Sequence, residues 1–271
     1  MIPIERAHIF VAGDSDKGMN RDNNEDRFAV SAYHLSSDDP TPSLLAIVAD
    51  GIGGHLAGEV AAEFAVEMVS QYVADSDAKK PVEILKAAYL LASQTIQDHA
   101  DSTPGQQGMG ATCVSAWIIK DKLYVANVGD SRLYLVRSNK IQRLSVDHTW
   151  VQEAVDHGAL SPDQAKQHPY GNVIRRYLGS IELPEPDFRL RLHAKQSDND
   201  AEKNQGMTLQ PNDRLILCSD GLTDLVEDQE ILENVNSQSE ELAVKQLINI
   251  ANDRGGRDNI TVVVIRVPEE V

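Results

Sequence analysis

The chain is built of short apolar runs broken by polar turns. Runs of β-forming residues at 8–12, 27–33 and 44–49 predict three strands, and the polar stretch SSDDPTPS separates the second from the third. Two helical patterns follow. In the first, Val60, Phe64, Met68 and Tyr72 recur every four residues along one face. The second runs from about 82 to 100, started by Pro81 and stopped before Pro104. Strands return at 111–119, 122–128, 131–137 and 141–144, joined by KD, GD and SNK. Connections that short predict hairpins and an antiparallel sheet.

Residues 147–180 differ: two short helical pieces, 151–157 and 162–167, with little continuous apolar pattern, predict a surface excursion over the core. Strands are expected again at 188–192 and 213–218. Between them 195–206, KQSDNDAEKNQG, carries no apolar side chain larger than Ala and predicts a mobile loop. A helix at 240–252, the turn GGRDN and a strand at 260–267 close the pattern. Strand runs alternating with helix pairs, without regular βαβ order, predict an α+β fold in one domain spanning 1–271.

Composition narrows the partners. The 271 residues carry 42 Asp and Glu against 25 Lys and Arg, a formal charge of −17. A nucleic-acid binder needs clustered cations, and anionic lipid would repel this surface, so neither partner is expected. Cys113 and Cys218 lie inside strand-like runs and predict buried free thiols of a reducing cytosol. The N-terminal stretch MIPIERAHIF lacks the basic and apolar regions of a secretory signal, and no apolar run is long enough to span a bilayer. A cytoplasmic protein is expected.

The chemistry lies in carboxylates at strand ends. LLAIVAD-GIGG ends a strand at Asp50, and RLILCSD-GLTD ends another at Asp220. Asp130 sits in the GD turn, Asp26 and Asp258 just before strands. One Asp-Gly pair is an ordinary turn; five such carboxylates could converge on one edge. Packed carboxylates repel unless cations or protons lie between them. All-oxygen donors suit Mg²⁺ or Mn²⁺, and the Cys/His spacing for zinc is absent. DSDKGMNRDNNE has the glycine of an EF-hand in the wrong place.

These residues resemble the metal-dependent protein Ser/Thr phosphatases of the PPM (PP2C-like) family, in its compact bacterial branch. The resemblance runs through SDKGMNRDNNED at 15–26, DGIGGHLAGEVAA at 50–62, GATCVSA at 110–116 and NVGDSRLYLVR at 127–137. It continues through DHTWVQEAVDHGALS at 147–161, NVIRRYLG at 172–179, LCSDGLTDLVED at 217–228 and GGRDNITVVVI at 255–265. It implies a four-layer αββα sandwich of two antiparallel sheets, with a flap at about 147–180. It also implies two Mg²⁺ or Mn²⁺ ions, with Asp50 bridging them, Gly51 offering its carbonyl, Asp220 and Asp258 completing one ion and Asp26 helping hold the other. Asp130, with Asp220, would hold a third and weaker ion. Arg21 matches the family's phosphate-binding arginine. Some eukaryotic relatives carry a His directly after the DG; that position is Ile52 here, and the resemblance to the bacterial branch leaves His55, after GIGG, as the candidate proton donor, with water on an ion as its rival. Glu25 and Asn259 neighbour the ligands, and Arg176 matches the family pattern where it and Arg175 would help recruit an anionic substrate.

The resemblance therefore implies an enzyme that hydrolyses phosphoserine and phosphothreonine in proteins by direct attack of a metal-bridging hydroxide. Neither cysteine sits in a C-x₅-R phosphate loop, which fits a reaction without a phospho-enzyme. The alternative is a catalytically silent pseudophosphatase adaptor that binds phosphoproteins. Its mark would be a lost ligand Asp, and none is lost. Phosphorylated proteins and Ser/Thr kinases are the implied partners of a monomer, and the acidic surface predicts phosphosites with basic flanks.

Overall fold

The computed structural model describes residues 1–53, 56–193 and 196–269. Two antiparallel sheets form its centre. The first has six strands in the order β1 (Ile2–Pro3), β3 (Arg27–His34), β4 (Pro42–Ala49), β7 (Cys113–Ile119), β8 (Lys122–Val128) and β11 (Met207–Thr208). The second has five, ordered β10 (Lys140–Arg143), β9 (Arg132–Arg137), β12 (Arg214–Cys218), β13 (Ile260–Arg266) and β2 (Phe10–Asp16). A two-stranded ribbon joins β5 (Gly51–Ile52) to β6 (Gly110–Ala111).

The central strands read as unbroken apolar runs because both of their faces are buried. In β4, Leu44, Ala46 and Val48 enter the core between the sheets, while Leu45, Ile47 and Ala49 enter the core beneath helices α1 (Leu56–Ala74) and α2 (Pro81–Ser102). In β12, Leu215 and Leu217 face the inter-sheet core. Ile216 and Cys218 face α7 (Asp228–Ser237) and α8 (Glu240–Asp253). The result is the expected helix–sheet–sheet–helix sandwich. Two large polar side chains inside it find partners: Tyr89 donates its hydroxyl to Ser115 Oγ at 2.9 Å, and Trp117 its indole N–H to Ser43 Oγ at 2.7 Å.

Several elements differ from the pattern-based expectation. The four-residue stripe of α1 is the margin of its core face: Ala61, Ala65, Val69 and Val73 are fully buried, whereas Val60, Phe64 and Met68 are half-buried against the same core and Tyr72 is exposed. Small side chains let the helix lie close on the sheet, and the larger stripe turns toward α2, where Phe64 meets His99. The GD connection is not a hairpin. It carries the chain from β8 in one sheet to β9 in the other, with Gly129 at φ +106° and its Cα pressed so near Thr112 that a Cβ would lie 2.5 Å away. No strand forms at 188–192, because Leu190 and Arg191 give their N–H groups to the carbonyls of Ala201 and Leu144 instead of to a ladder. Within 195–206 lies a short helix, α5 (Asp198–Glu202), and Gln205 bonds both the N–H and the carbonyl of Val125. The flap segment carries α3 (Trp150–Asp156) and α4 (Pro162–Lys166), each capped by a Ser or Thr hydroxyl.

Strand polarity locates the chemistry. β2, β4, β8 and β12 end, and β3, β7, β9 and β13 begin, at one rim of the sandwich, as the pairings Ile260↔Asp16, Arg27↔Ala49, Cys113↔Val128 and Cys218↔Arg132 require. The segments carrying Asp26, Asp50, Asp130, Asp220 and Asp258 all emerge there.

Candidate active site

Each carboxylate is fixed by a different element. Asp26 precedes β3, is buried, and accepts the Ser219 hydroxyl on Oδ2 at 2.7 Å, while its Oδ1 has no partner. Asp50 follows β4. Its N–H donates to Thr112 Oγ1 at 3.0 Å, its carbonyl accepts the Thr112 N–H at 2.8 Å, and Thr112 Oγ1 lies 2.7 Å from Ser131 Oγ. Asp130 occupies the sheet-crossing turn, buried with Oδ1 unpartnered. Asp220 opens the short helix α6 (Asp220–Thr223), and its Oδ1 is also buried without a partner. Asp258 is held by its own turn, accepting the Asn259 N–H at 2.8 Å. Gly51, in β5, lies at the rim beside Asp50.

These groups feel one another. Burial pushes Asp26 up to about 6, and the Asp258 charge adds to the rise against the Ser219 bond. Burial pushes Asp130 up to about 7, with Asp147 adding to it. Asp50 and Asp220 are driven well above the carboxylate range, first by burial and then by the surrounding carboxylates, Asp26 and Asp130 among them. Buried oxygens without donors, repelling one another, form a site that needs positive charge. Among the described residues, no three of these side chains close on one point as a preformed cage. The donor set is all oxygen, and with its orphaned Oδ1 atoms it fits hard divalent cations.

Arg21 lies at the edge of this group, half exposed, donating to Asp258 Oδ2 at 2.5 Å, and the Glu25 and Asp50 charges also raise its affinity for its proton. Asn259 fixes the loop that carries it: its Oδ1 accepts the Glu25 N–H, and its Nδ2 donates to the carbonyls of Lys17 and Asn23. His55 lies outside the described residues. Arg175 pairs with Glu153 of α3, and Arg176 donates to the Glu185 carbonyl, so neither guanidinium is held at the carboxylates. Three polar residues were missed by pattern. Ser219 braces Asp26. Thr112 holds the Asp50 peptide. Asp224, at the exposed edge of the group, has its carboxyl raised by partial desolvation and, among other charges, that of Asp258, against a bond from Asn172 of the flap. For Asp224 the signal was present: it repeats Asp220 one helical turn later.

A family model described as protein phosphatase 2C matches residues 12–154. The serine/threonine phosphatase stp of Listeria welshimeri is 35% identical over 258 residues, covering 93% of each chain. The solved serine/threonine phosphatase of S. agalactiae superposes with a TM-score of 0.82 at 28% identity, covering 96% of this chain and 99% of the other. The catalytic domain of the serine/threonine protein phosphatase PstP, solved in complex with two manganese ions, gives 0.78 at 31% identity, covering 96% and 98%. The chain belongs to the protein phosphatase 2C family.

Proposed function

We propose that the chain is a divalent-metal-dependent phosphatase acting on phosphoserine and phosphothreonine in proteins. The observation that carries this reading is the set of buried, unpartnered Oδ1 atoms of Asp26, Asp130 and Asp220 at one rim, with Arg21 beside them. Asp26, Asp50, Asp220, Asp258 and the Gly51 carbonyl would hold two Mg²⁺ or Mn²⁺ ions, and Asp130 with Asp220 a third, weaker one. Such ions supply water activation and neutralise charge on the transferring phosphoryl group.

The chain's own residues do the rest. Ser219 occupies one oxygen of Asp26 and leaves the other for the site. The Thr112–Ser131 pair fixes the Asp50 peptide at the junction of both sheets. Arg21, exposed enough to meet substrate, offers a planar fork to two phosphoryl oxygens and orients phosphorus for in-line attack. Cys113 and Cys218 are excluded as nucleophiles, since both are fully buried with thiols pushed up to about 12. The adaptor alternative has no observation in its favour. We assign the protein to the cytosol as a monomer that opposes Ser/Thr kinases.

Phosphate release from a phosphothreonine peptide tests this. Turnover should require Mn²⁺ or Mg²⁺ and stop under chelation, and Asp220→Asn should lower kcat by about a hundredfold or more. Full activity after metal removal, or wild-type turnover in Asp220→Asn, would overturn it.

A further inference from the structure

His148 lies outside the carboxylate group, yet it grips the turn that carries Asp130. Its N–H donates to the Gly129 carbonyl at 2.9 Å, and the Gly129 N–H donates back to the imidazole Nδ1 at 3.0 Å. One residue thus bonds both the N–H and the carbonyl of Gly129. With Nδ1 accepting, the imidazole proton belongs on Nε2, which donates to Asp187 Oδ2 at 3.1 Å. Asp187 is itself immobilised: Arg189 donates to it from Nε, Nη2 and its backbone N–H, and its own backbone pairs with Asn127 in both directions. His148 and Asp187 are buried, so water does not compete for these bonds. Burial keeps the imidazole neutral by lowering its proton affinity, despite the Asp187 bond.

The turn needs such a grip. Gly129 holds a positive φ against Thr112, and the next two residues serve the site: Asp130 with its free Oδ1, and Ser131 bonded to the Thr112 hydroxyl that holds the Asp50 peptide. We propose that His148, oriented by Asp187 and Arg189, is a positioning residue that fixes the Gly129–Asp130–Ser131 turn and, through it, the placement of Asp130 and Asp50. Its carbonyl also accepts the Arg175 N–H at 2.8 Å, so the same residue ties the flap to the turn. The functional consequence rests on the phosphatase reading; the grip itself does not.

Two isosteric variants separate the roles of the ring nitrogens. In His148→Asn the amide oxygen replaces Nδ1 and can still accept from Gly129; in His148→Gln the amide reaches Asp187 but leaves Gly129 unpaired. Hydrogen exchange at the Gly129 amide reads the grip independently of turnover. We expect protection in wild type and His148→Asn, and exchange at least about tenfold faster in His148→Gln. In turnover, His148→Gln should lose about ten- to a hundredfold in kcat with KM nearly unchanged, and His148→Asn should restore most of it. The double variant His148→Gln with Asp130→Asn should lose less than the product of the two single losses, because part of the effect of His148 runs through Asp130. Equal Gly129 exchange in all three proteins, or losses that multiply in the double variant, would overturn the proposal. A wild type with protected Gly129 but no turnover would instead sink the phosphatase reading.

Discussion

Asp147 accepts from two guanidiniums at once, Arg132 at 2.8 Å and Arg143 at 2.9 Å, and is almost fully buried. Burial alone would raise its carboxyl, but the two arginines outweigh it and hold it below the usual range. A group depressed in the folded state stabilises fully above its unfolded value, about 4, and that contribution fades as pH falls through the folded value. Asp147→Asn should therefore cost roughly 3 kcal/mol at pH 7, largely from the arginines left unpaired. Urea midpoints at pH 7 and pH 3 check this: the gap between wild type and variant should shrink in acid, and a constant gap would contradict it. At this scale the carboxylates were legible because each ends or begins an apolar strand, a pattern local in sequence. Ser219, Thr112 and His148 were not, since their roles depend on bonds to residues distant along the chain: Asp26, Asp50 and Gly129.

Elements were read well where periodicity and breakers agreed, as in α2 between Pro81 and Pro104, and poorly where tertiary contact decided. The helix α7 was missed: its ten polar-rich residues bury only Ile231, Leu232, Asn234 and Val235. β2 runs on through Gly13–Asp16, a glycine and three polar residues that a pattern would end early, because β13 offers them a ladder. α6 is the tightest junction among these elements. Its Gly221 lies against the Asn259 carbonyl, where a Cβ would meet the oxygen at 2.0 Å. Backbone cannot step aside as a side-chain tip can, so Gly221→Ala must shift α6 or the turn before β13. We expect a loss of about 2 kcal/mol in denaturant stability, with kcat falling further than that loss explains because Asp220 moves with the helix. Unchanged kcat in the folded variant would show that the two segments yield without moving the carboxylate.

At the scale of the molecule, the antiparallel pairing was legible and the sheet-crossing GD turn was not, since two residues look alike whether a strand folds back or changes sheets. The four layers came from family resemblance, and three separate buried clusters bear them out. The five site carboxylates account for five of 42 acidic residues, so most of the −17 charge is solvated surface. The common polarity of the strand ends leaves the sandwich with two unlike rims. The far rim carries connectors, among them the Ser138–Asn139 reversal, both residues at positive φ, between β9 and β10. Lengthening a surface loop is cheap, about 0.6 kcal/mol for each doubling. Four Gly/Ser residues inserted between Ser138 and Asn139 should leave kcat within about twofold, whereas the same insertion between Gly129 and Asp130 should abolish turnover. The far rim is thus a handle: a fluorophore, a surface tether or a whole guest domain attached there would report on or relocate the enzyme while its working rim still faces solvent.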